Sequence, residues 1–226
     1  MVTKSFSALA VDTSTDTCSL ALCRGGQRWE SEHGGLADRS RGIYRWIDEL
    51  LGPACTTLAE LDAIAYGAGP GAFTGLRVAT SVAQGLGRAA GLPVCAVSSL
   101  ESLALGAARA RQYTGTVAAC LDARMGQVYL GVYEVSAHGS RALAPDALLS
   151  PGAVSLPAGA LLTAGPGWRA YPELGRLVTA ESETGTGDER PSAPAMLEIA
   201  ARHFARGECV DAARAAPNYL RDRVTG

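Results

Sequence analysis

Two short stretches of this chain carry residue types that could hold an anion. GAGPGAFTGLR, residues 67 to 77, sets four glycines and a proline ahead of a helical pattern. DTSTDT, residues 12 to 17, places two aspartates among four hydroxyls at the end of an apolar run. A phosphate-gripping P-loop ends in G-K-[ST], with a lysine for the phosphates and a hydroxyl for magnesium. Here Arg77 follows Leu76 and that ending is missing. Gly67, Gly69 and Ala72 satisfy a loose G-x-G-x-x-A, but dinucleotide binding also needs an acidic residue closing the next strand, and VCAVSS ends without one. The DTSTDT turn keeps two readings. Asp12, Thr13, Ser14 and Thr15 could cradle a phosphate or orient a hydrated magnesium ion. The same residue types also stabilise tight turns through side-chain to backbone hydrogen bonds.

Groups for metal or nucleophilic chemistry are sparse. His33, His138 and His203 stand far apart, without an H-x-x-x-H, an H-E-x-x-H or a Cys/His cluster. No G-x-S-x-G elbow presents a serine. The six cysteines, at 18, 23, 55, 95, 120 and 209, lack C-x-x-C spacing and fall mostly in apolar runs, where a thiol acts as a small hydrophobe. That usage suits a reducing cytosol. We therefore expect neither a catalytic residue nor a metal site in this chain.

The glycine-rich stretch also has a mechanical reading. Gly69-Pro70-Gly71 turns the chain out of a strand, Thr74 is the expected N-cap, and the helix beyond it bears Gly75, Ala79, Ala83 and Gly87 four residues apart. That spacing gathers them into a ridge of small residues, which lets another backbone come close. Read from the residues alone, the ridge packs on the protein's own sheet.

The elements that must position these stretches follow from apolar periodicity. FSALAV and CSLALC around the polar turn, then QRWESEH after Gly25-Gly26, predict three antiparallel strands. Ile43, Trp46, Ile47, Leu50 and Leu51 recur at helical spacing over 36–51, until Gly52-Pro53. A strand over 61–67, a helix over 74–90, the strand VCAVSS and a helix over SLESLALGAARAR come next. TVAACLDARMGQVYLGVYEV predicts two strands joined at 123–126; residues 144–167 offer few elements; 181–194 reads as a polar linker; an amphipathic helix spans 195–206. No internal repeat stands out.

Composition sets the outer bounds. With 226 residues, 47% apolar and 19% charged, the chain suits two compact lobes. A net charge of -2 gives no field for holding nucleic acid through its phosphates, so a role on RNA needs a basic partner. No window approaches the ~20 apolar residues of a membrane span and the N-terminus lacks a signal-peptide core, which predicts a soluble, cytoplasmic chain.

Three strands ahead of the first helix depart from the strand, helix, strand opening of a dinucleotide fold. They match instead an α/β, ribonuclease-H-like lobe of the actin, sugar-kinase and Hsp70 ATPase superfamily, which opens with an antiparallel strand meander. Within that superfamily LAVDTSTDTCSLAL, LDAIAYGAGPGAFTGLRVATSVAQGLG, LPVCAVSSLESLA, LDARMGQVYLGVYE and PNYLR together resemble the bacterial TsaB family. The match runs in order over most of the first 135 residues, and G-x-G-P-G-x-F-T-G-x-R is a highly specific string; residues 137 to 210 match weakly.

The resemblance implies two ribonuclease-H-like lobes, here residues 1–110 and 111–190, with 191–226 a C-terminal helix and tail that packs back on the first lobe. It implies a non-catalytic subunit that pairs with TsaD, the enzyme that places a threonylcarbamoyl group on N6 of adenosine 37 in tRNAs reading ANN codons. The partners implied are TsaD, the ATPase TsaE, a second copy through the same face, and tRNA only through the complex, with no membrane. No cofactor is assigned to this chain, although ATP or ADP has a place in the complex.

TsaD-type subunits carry an H-x-x-x-H pair on a helix of the first lobe; here ADRSRGIYRWIDELL has no histidine, and Arg39 stands before Ser40 where many TsaB sequences keep one. In the family the first two helices meet TsaD. The ridge then becomes a partner face, with Ile43, Ile47, Gly75, Leu76, Ala79, Val82, Ala83 and Gly87 as its contacts. Two alternatives stand beside this. An ATP-dependent kinase or ATPase of the same superfamily is opposed by ACLDARMGQ, where Ala-Arg-Met follows Asp122 in place of a glycine and a hydroxyl. A metallopeptidase is opposed by the missing histidine pair.

Overall fold

The computed structural model describes residues 5–34 and 39–221, with the side chains of 39–41 outside that description. Its strands are β1 (Ala8–Asp12), β2 (Thr17–Arg24), β3 (Gln27–Gly34), β4 (Ala63–Gly69), β5 (Val94–Ser98), β6 (Gly115–Arg124), β7 (Gln127–Ser136), β8 (Gly139–Ala142), β9 (Ala147–Leu149) and β10 (Leu162–Ala164). Its helices are α1 (Arg39–Leu51), α2 (Phe73–Ala90), α3 (Ser99–Arg111), α4 (Gly167–Ala170) and α5 (Ala193–Ala205). The chain divides into two units. One holds the described residues up to Ser99 together with Ser192–Asn218; the other holds Leu100–Pro191 and the described residues from Tyr219 to Arg221. The division thus falls at Ser99 rather than at residue 110, and α3 goes with the second unit.

In the first unit the strand order is β3-β2-β1-β4-β5, with β1, β2 and β3 antiparallel and β4 and β5 joined in parallel. A meander followed by parallel strands is the ribonuclease-H-like order. Alternation along each strand sorts the side chains. Leu9, Val11, Leu20, Leu22, Ile64 and Tyr66 enter one core with Ile43, Trp46 and Ile47 of α1 and Ala79, Val82 and Ala83 of α2. The intervening residues Ala8, Ala10, Ala21, Ala63 and Ala65 are also fully buried, and α5 packs on these strands. Small side chains there let that helix sit close to the sheet. Ser19 Oγ accepts the Ala193 N–H at the start of α5, at 3.0 Å.

The opening of α2 differs from expectation. It begins at Phe73, with Ala72 at the cap position and no side-chain cap, while Thr74 lies exposed inside the helix. The Ala72 N–H instead donates to the Ser14 carbonyl at 2.7 Å, so the first hairpin turn anchors the helix start. Gly91, with φ of 68°, ends α2 in the left-handed conformation that favours glycine.

In the second unit β6 and β7 form a long hairpin, β8 and β9 pair with β7, and β10 lies parallel to β6. β10 falls in the stretch that offered few elements, because three residues are too short to display a period. The strand also exposes a short repeat. Ala164-Gly165-Pro166-Gly167 copies Ala68-Gly69-Pro70-Gly71, and each copy leaves a strand that runs parallel to the first strand of a hairpin. A Cβ on Gly71 would stand 2.5 Å from the Ser14 carbonyl oxygen, and one on Gly165 would stand 2.5 Å from that of Cys120. Glycine is required at both close approaches.

Two expectations need correction. Residues 181–194 are not a loose linker. Glu183 exchanges backbone hydrogen bonds with Leu161 and Thr163 at 2.9 Å each, and the Glu189 carboxylate accepts N–H groups from Gly165 at 3.2 Å, Thr186 at 2.6 Å and Gly187 at 3.0 Å. Nor are all six cysteines thiols, since Cys95 and Cys209 form a disulfide across a sequence separation of 114 residues. The separation hid the pair; the antiparallel bridge between Val94 and Val210 brings it together.

Candidate partner interface

The hydroxyl-rich turn is spent on itself and on α2. Asp12, Thr13 and Ser14 are buried. Asp12 Oδ1 accepts the Ser14 N–H at 2.9 Å and the Ser14 hydroxyl at 2.7 Å. Thr13 Oγ1 donates to the Gly75 carbonyl at 2.6 Å, and the Thr15 and Thr17 hydroxyls lie 3.1 Å apart. The glycines explain the rest. A Cβ on Gly67 would strike the Asp12 carboxylate, and one on Gly75 would overlap the Thr13 carbonyl. Bare backbone at 67–75 lets the start of α2 lie directly on the first hairpin turn.

The ridge faces inward. Ile43, Ile47, Gly75, Leu76, Ala79, Val82, Ala83 and Gly87 are all buried in the chain's own first unit. At Gly87 a Cβ would come within 2.9 Å of both Ala212 Cβ and Val94 Cγ1. These residues are therefore packing positions, and the expectation that they touch a partner is corrected. The physical reason is tertiary: the Thr13 carbonyl arrives against Gly75, and Val94 and Ala212 arrive against Gly87.

The outward row of α2 is offset from that ridge by two residues, about 200° around the helix. Arg77, Ser81 and Gly85 lie on it and are exposed. Phe73 is 42% exposed, and the Arg77 guanidinium stacks over its ring at 3.9 Å. Tyr44 of α1 is 50% exposed, with its hydroxyl 4.0 Å from where a Gly85 Cβ would stand, so the two helices adjoin there. Val78 is half-buried between the rows. Arg45 and Glu49 pair at 3.5 Å further along α1. Reading the sequence for its apolar face passed over this band, whose signal was Tyr44 off the helical spacing of Ile43, Trp46 and Ile47.

Other chemistry-bearing residues have structural roles. Asp122 Oδ1 accepts the Arg124 N–H at 2.7 Å and the Tyr171 hydroxyl at 3.1 Å, and Oδ2 pairs with the Arg124 guanidinium at 3.1 Å. Burial, aided by the Asp122 charge, pushes the Cys120 thiol up to about 12. The His33 ring stacks on Trp46 with centroids 3.9 Å apart, and His203 Nε2 lies 3.9 Å from Glu208. The side chains of Arg39 and Ser40 lie outside the described residues. Among the described residues no group of three or more His, Cys, Asp or Glu is placed to hold a metal ion, and no helix is long and apolar enough to cross a membrane.

Comparison with known proteins places this geometry. A family model for TsaD, described as tRNA N6-adenosine threonylcarbamoyltransferase, matches residues 36–169. The tRNA threonylcarbamoyladenosine biosynthesis protein TsaB of Escherichia coli (strain K12) is 38% identical, over 96% of this chain and 95% of its own. The chain belongs to the TsaB family. TsaB of Haemophilus influenzae is 35% identical over 96% of this chain and 94% of its own. The solved structure of YeaZ from Pseudomonas aeruginosa superposes with a TM-score of 0.88 at 37% identity, covering 96% of this chain and 100% of that one. Coverage of this extent carries the likeness through residues 137 to 210, where the motifs alone were weak.

Proposed function

We propose that this chain is a non-catalytic partner subunit in the synthesis of threonylcarbamoyladenosine at position 37 of tRNA, and that it binds a TsaD-type catalytic subunit through the outer faces of α1 and α2. The observation that carries this reading is likeness over nearly the whole chain to TsaB proteins, whose name ties them to that biosynthesis. Geometry favours docking over chemistry on this chain. In the 12–17 turn the Thr13 and Ser14 hydroxyls and Asp12 Oδ1 are engaged in internal hydrogen bonds, as is Asp122 Oδ1 in the second unit. The exposed band of Tyr44, Phe73, Arg77 and Ser81 presents two aromatics and a guanidinium, residue types that anchor interfaces.

In this reading a TsaE-type ATPase joins the assembly in the cytoplasm, and ATP or ADP belongs to the complex rather than to the isolated chain. With a net charge of -2, the chain reaches tRNA through its partners. A second copy occupies the same face when TsaD is absent. The test is to mix the purified chain with TsaD from the same organism, measure the mass of the species formed, and assay tRNA modification with TsaE present. A defined heteromer on which modification depends is expected. Absence of a heteromer, or turnover of ATP or tRNA by the isolated chain at an enzyme-like rate, overturns the reading.

A further inference from the structure

We infer that Cys95 and Cys209 form a redox-addressable site, a dithiol that a small-molecule disulfide converts to the bond seen here, stapling residues 209 to 218 onto the first unit. The backbone presents the pair without help from the bond. Val94 and Val210 exchange both their N–H···O hydrogen bonds, at 2.8 and 2.9 Å, which holds the neighbouring Cys95 and Cys209 with Cα atoms 4.4 Å apart. Cys95 is fully buried on β5, whereas Cys209 is half-exposed beyond α5, so only one sulfur offers an outside reagent an approach. Cys18, Cys23, Cys55 and Cys120 are not disulfide-bonded.

What the staple holds is a strap with little apolar grip of its own. Ala212 and Ala215 are its buried side chains, the first seated beneath Gly87. The rest is a series of single hydrogen bonds. Gln84 Nε2 donates to the Ala215 carbonyl at 2.9 Å, the Tyr66 hydroxyl meets the Ala216 N–H and carbonyl at 3.1 Å each, and the Asn218 N–H donates to the Ala68 carbonyl at 2.6 Å. The strap therefore underlies the C-terminal half of α2 and the end of β4. A covalent tie at residue 209 limits how far it can open.

The chemistry is thiol–disulfide exchange. The Cys209 thiolate attacks one sulfur of the reagent RSSR, forming a mixed disulfide and releasing RS⁻. The Cys95 thiolate then attacks the Cys209 sulfur, closing the protein disulfide and releasing the second RS⁻. The two thiol protons end on the departing thiolates, so the dithiol loses two electrons and RSSR becomes two RSH.

The full chain should be equilibrated with oxidised and reduced glutathione over a range of ratios, then denatured and its thiols counted. Six thiols are expected at the reducing end, and at the oxidising end peptide mapping should find Cys95 linked to Cys209, with glutathione adducts on the exposed Cys55 counted separately. Amide hydrogen exchange at residues 210 to 218 and 84 to 90 should be about tenfold faster in the reduced protein, with α3 unchanged. Cys209→Ser should exchange like the reduced wild type in every buffer. Cys95 and Cys209 remaining unlinked in excess oxidised glutathione, or exchange in the strap indifferent to reduction of the wild type, overturns the inference; both readouts use the wild-type chain and do not depend on how well the variant folds.

Discussion

Thr13 Oγ1 donates to the carbonyl of Gly75 at 2.6 Å, across 62 residues of sequence, and the same glycine has no room for a Cβ because the Thr13 carbonyl lies against it. The first hairpin turn and the opening of α2 are thus one packed unit. Gly75→Ala pushes backbone against backbone, which cannot yield as a flexible side chain would, and should cost about 2 kcal/mol or more. Gly85→Ala on the exposed row of α2 meets only the Tyr44 hydroxyl at 4.0 Å and should stabilise by about 0.5–1 kcal/mol through helix propensity. Urea midpoints of the two variants should move in opposite directions; a shared direction would mean that α2 docks differently.

The same geometry separates folding from docking. Ser81→Arg adds bulk and charge to the exposed row and should leave stability within about 0.5 kcal/mol. It should weaken association with TsaD about tenfold or more. Ala83→Trp, at a position with no exposure, should unfold or severely destabilise the isolated chain. Thermal melts paired with a binding titration distinguish them. A Ser81→Arg protein that binds as wild type would exclude this row from the interface.

Glu189 ties the 185–189 turn to the second unit. Burial by itself would raise its carboxyl, but its own N–H, those of Thr186 and Gly165, and the Thr186 hydroxyl outweigh burial and hold it below the ordinary glutamate range. Arg111 adds a contact at 3.5 Å. A depressed folded value means that this stabilisation is complete above the unfolded glutamate range, about pH 4.3, and fades as pH falls through the lower folded value. Glu189→Gln loses an acceptor facing these N–H groups and should cost about 1.5–3 kcal/mol at pH 7. The difference between wild type and variant should shrink toward pH 3 in denaturant titrations; a gap independent of pH would remove the charge from the account.

Cysteine reactivity should follow burial. With its thiol at about 12, Cys120 is ionised in only about one molecule in ten thousand at pH 8, and it is also buried from the reagent. Cys55 is exposed. Brief iodoacetamide treatment of the native protein should label Cys55 about a hundredfold faster than Cys120, as read by peptide mass mapping. Comparable labelling of Cys120 would mean that the second unit opens readily.

Much of the first unit could be read in advance because its signals are local. FSALAV, CSLALC and QRWESEH run between short turns, and Ile43, Trp46, Ile47 and Leu50 repeat at helical spacing, so β1 to β3 emerge within two residues of their observed bounds and α1 ends at Leu51 as expected, its expected start at 36–38 lying outside the described residues. The ridge on α2 was read as a face open to a partner, and its residues are buried within the first unit. Four-residue spacing says that Gly75, Ala79, Ala83 and Gly87 share a face; it does not say what that face meets. The arrival of Thr13, Val94 and Ala212 answers that question, and none of them is a neighbour in sequence.

By itself the amino-acid sequence determined the order of elements through β7, the helix α5, the hairpins, the helix ends at glycine and the motif string that marks the family, all of which depend on contacts a few residues long. Tertiary structure alone decided the inward aim of the ridge, the three-residue strand β10, the pinned 181–194 segment and the Cys95–Cys209 bond. Each of those depends on which distant stretch of chain arrives alongside. Such arrivals are set by the packing of whole elements, and a local pattern carries no record of them.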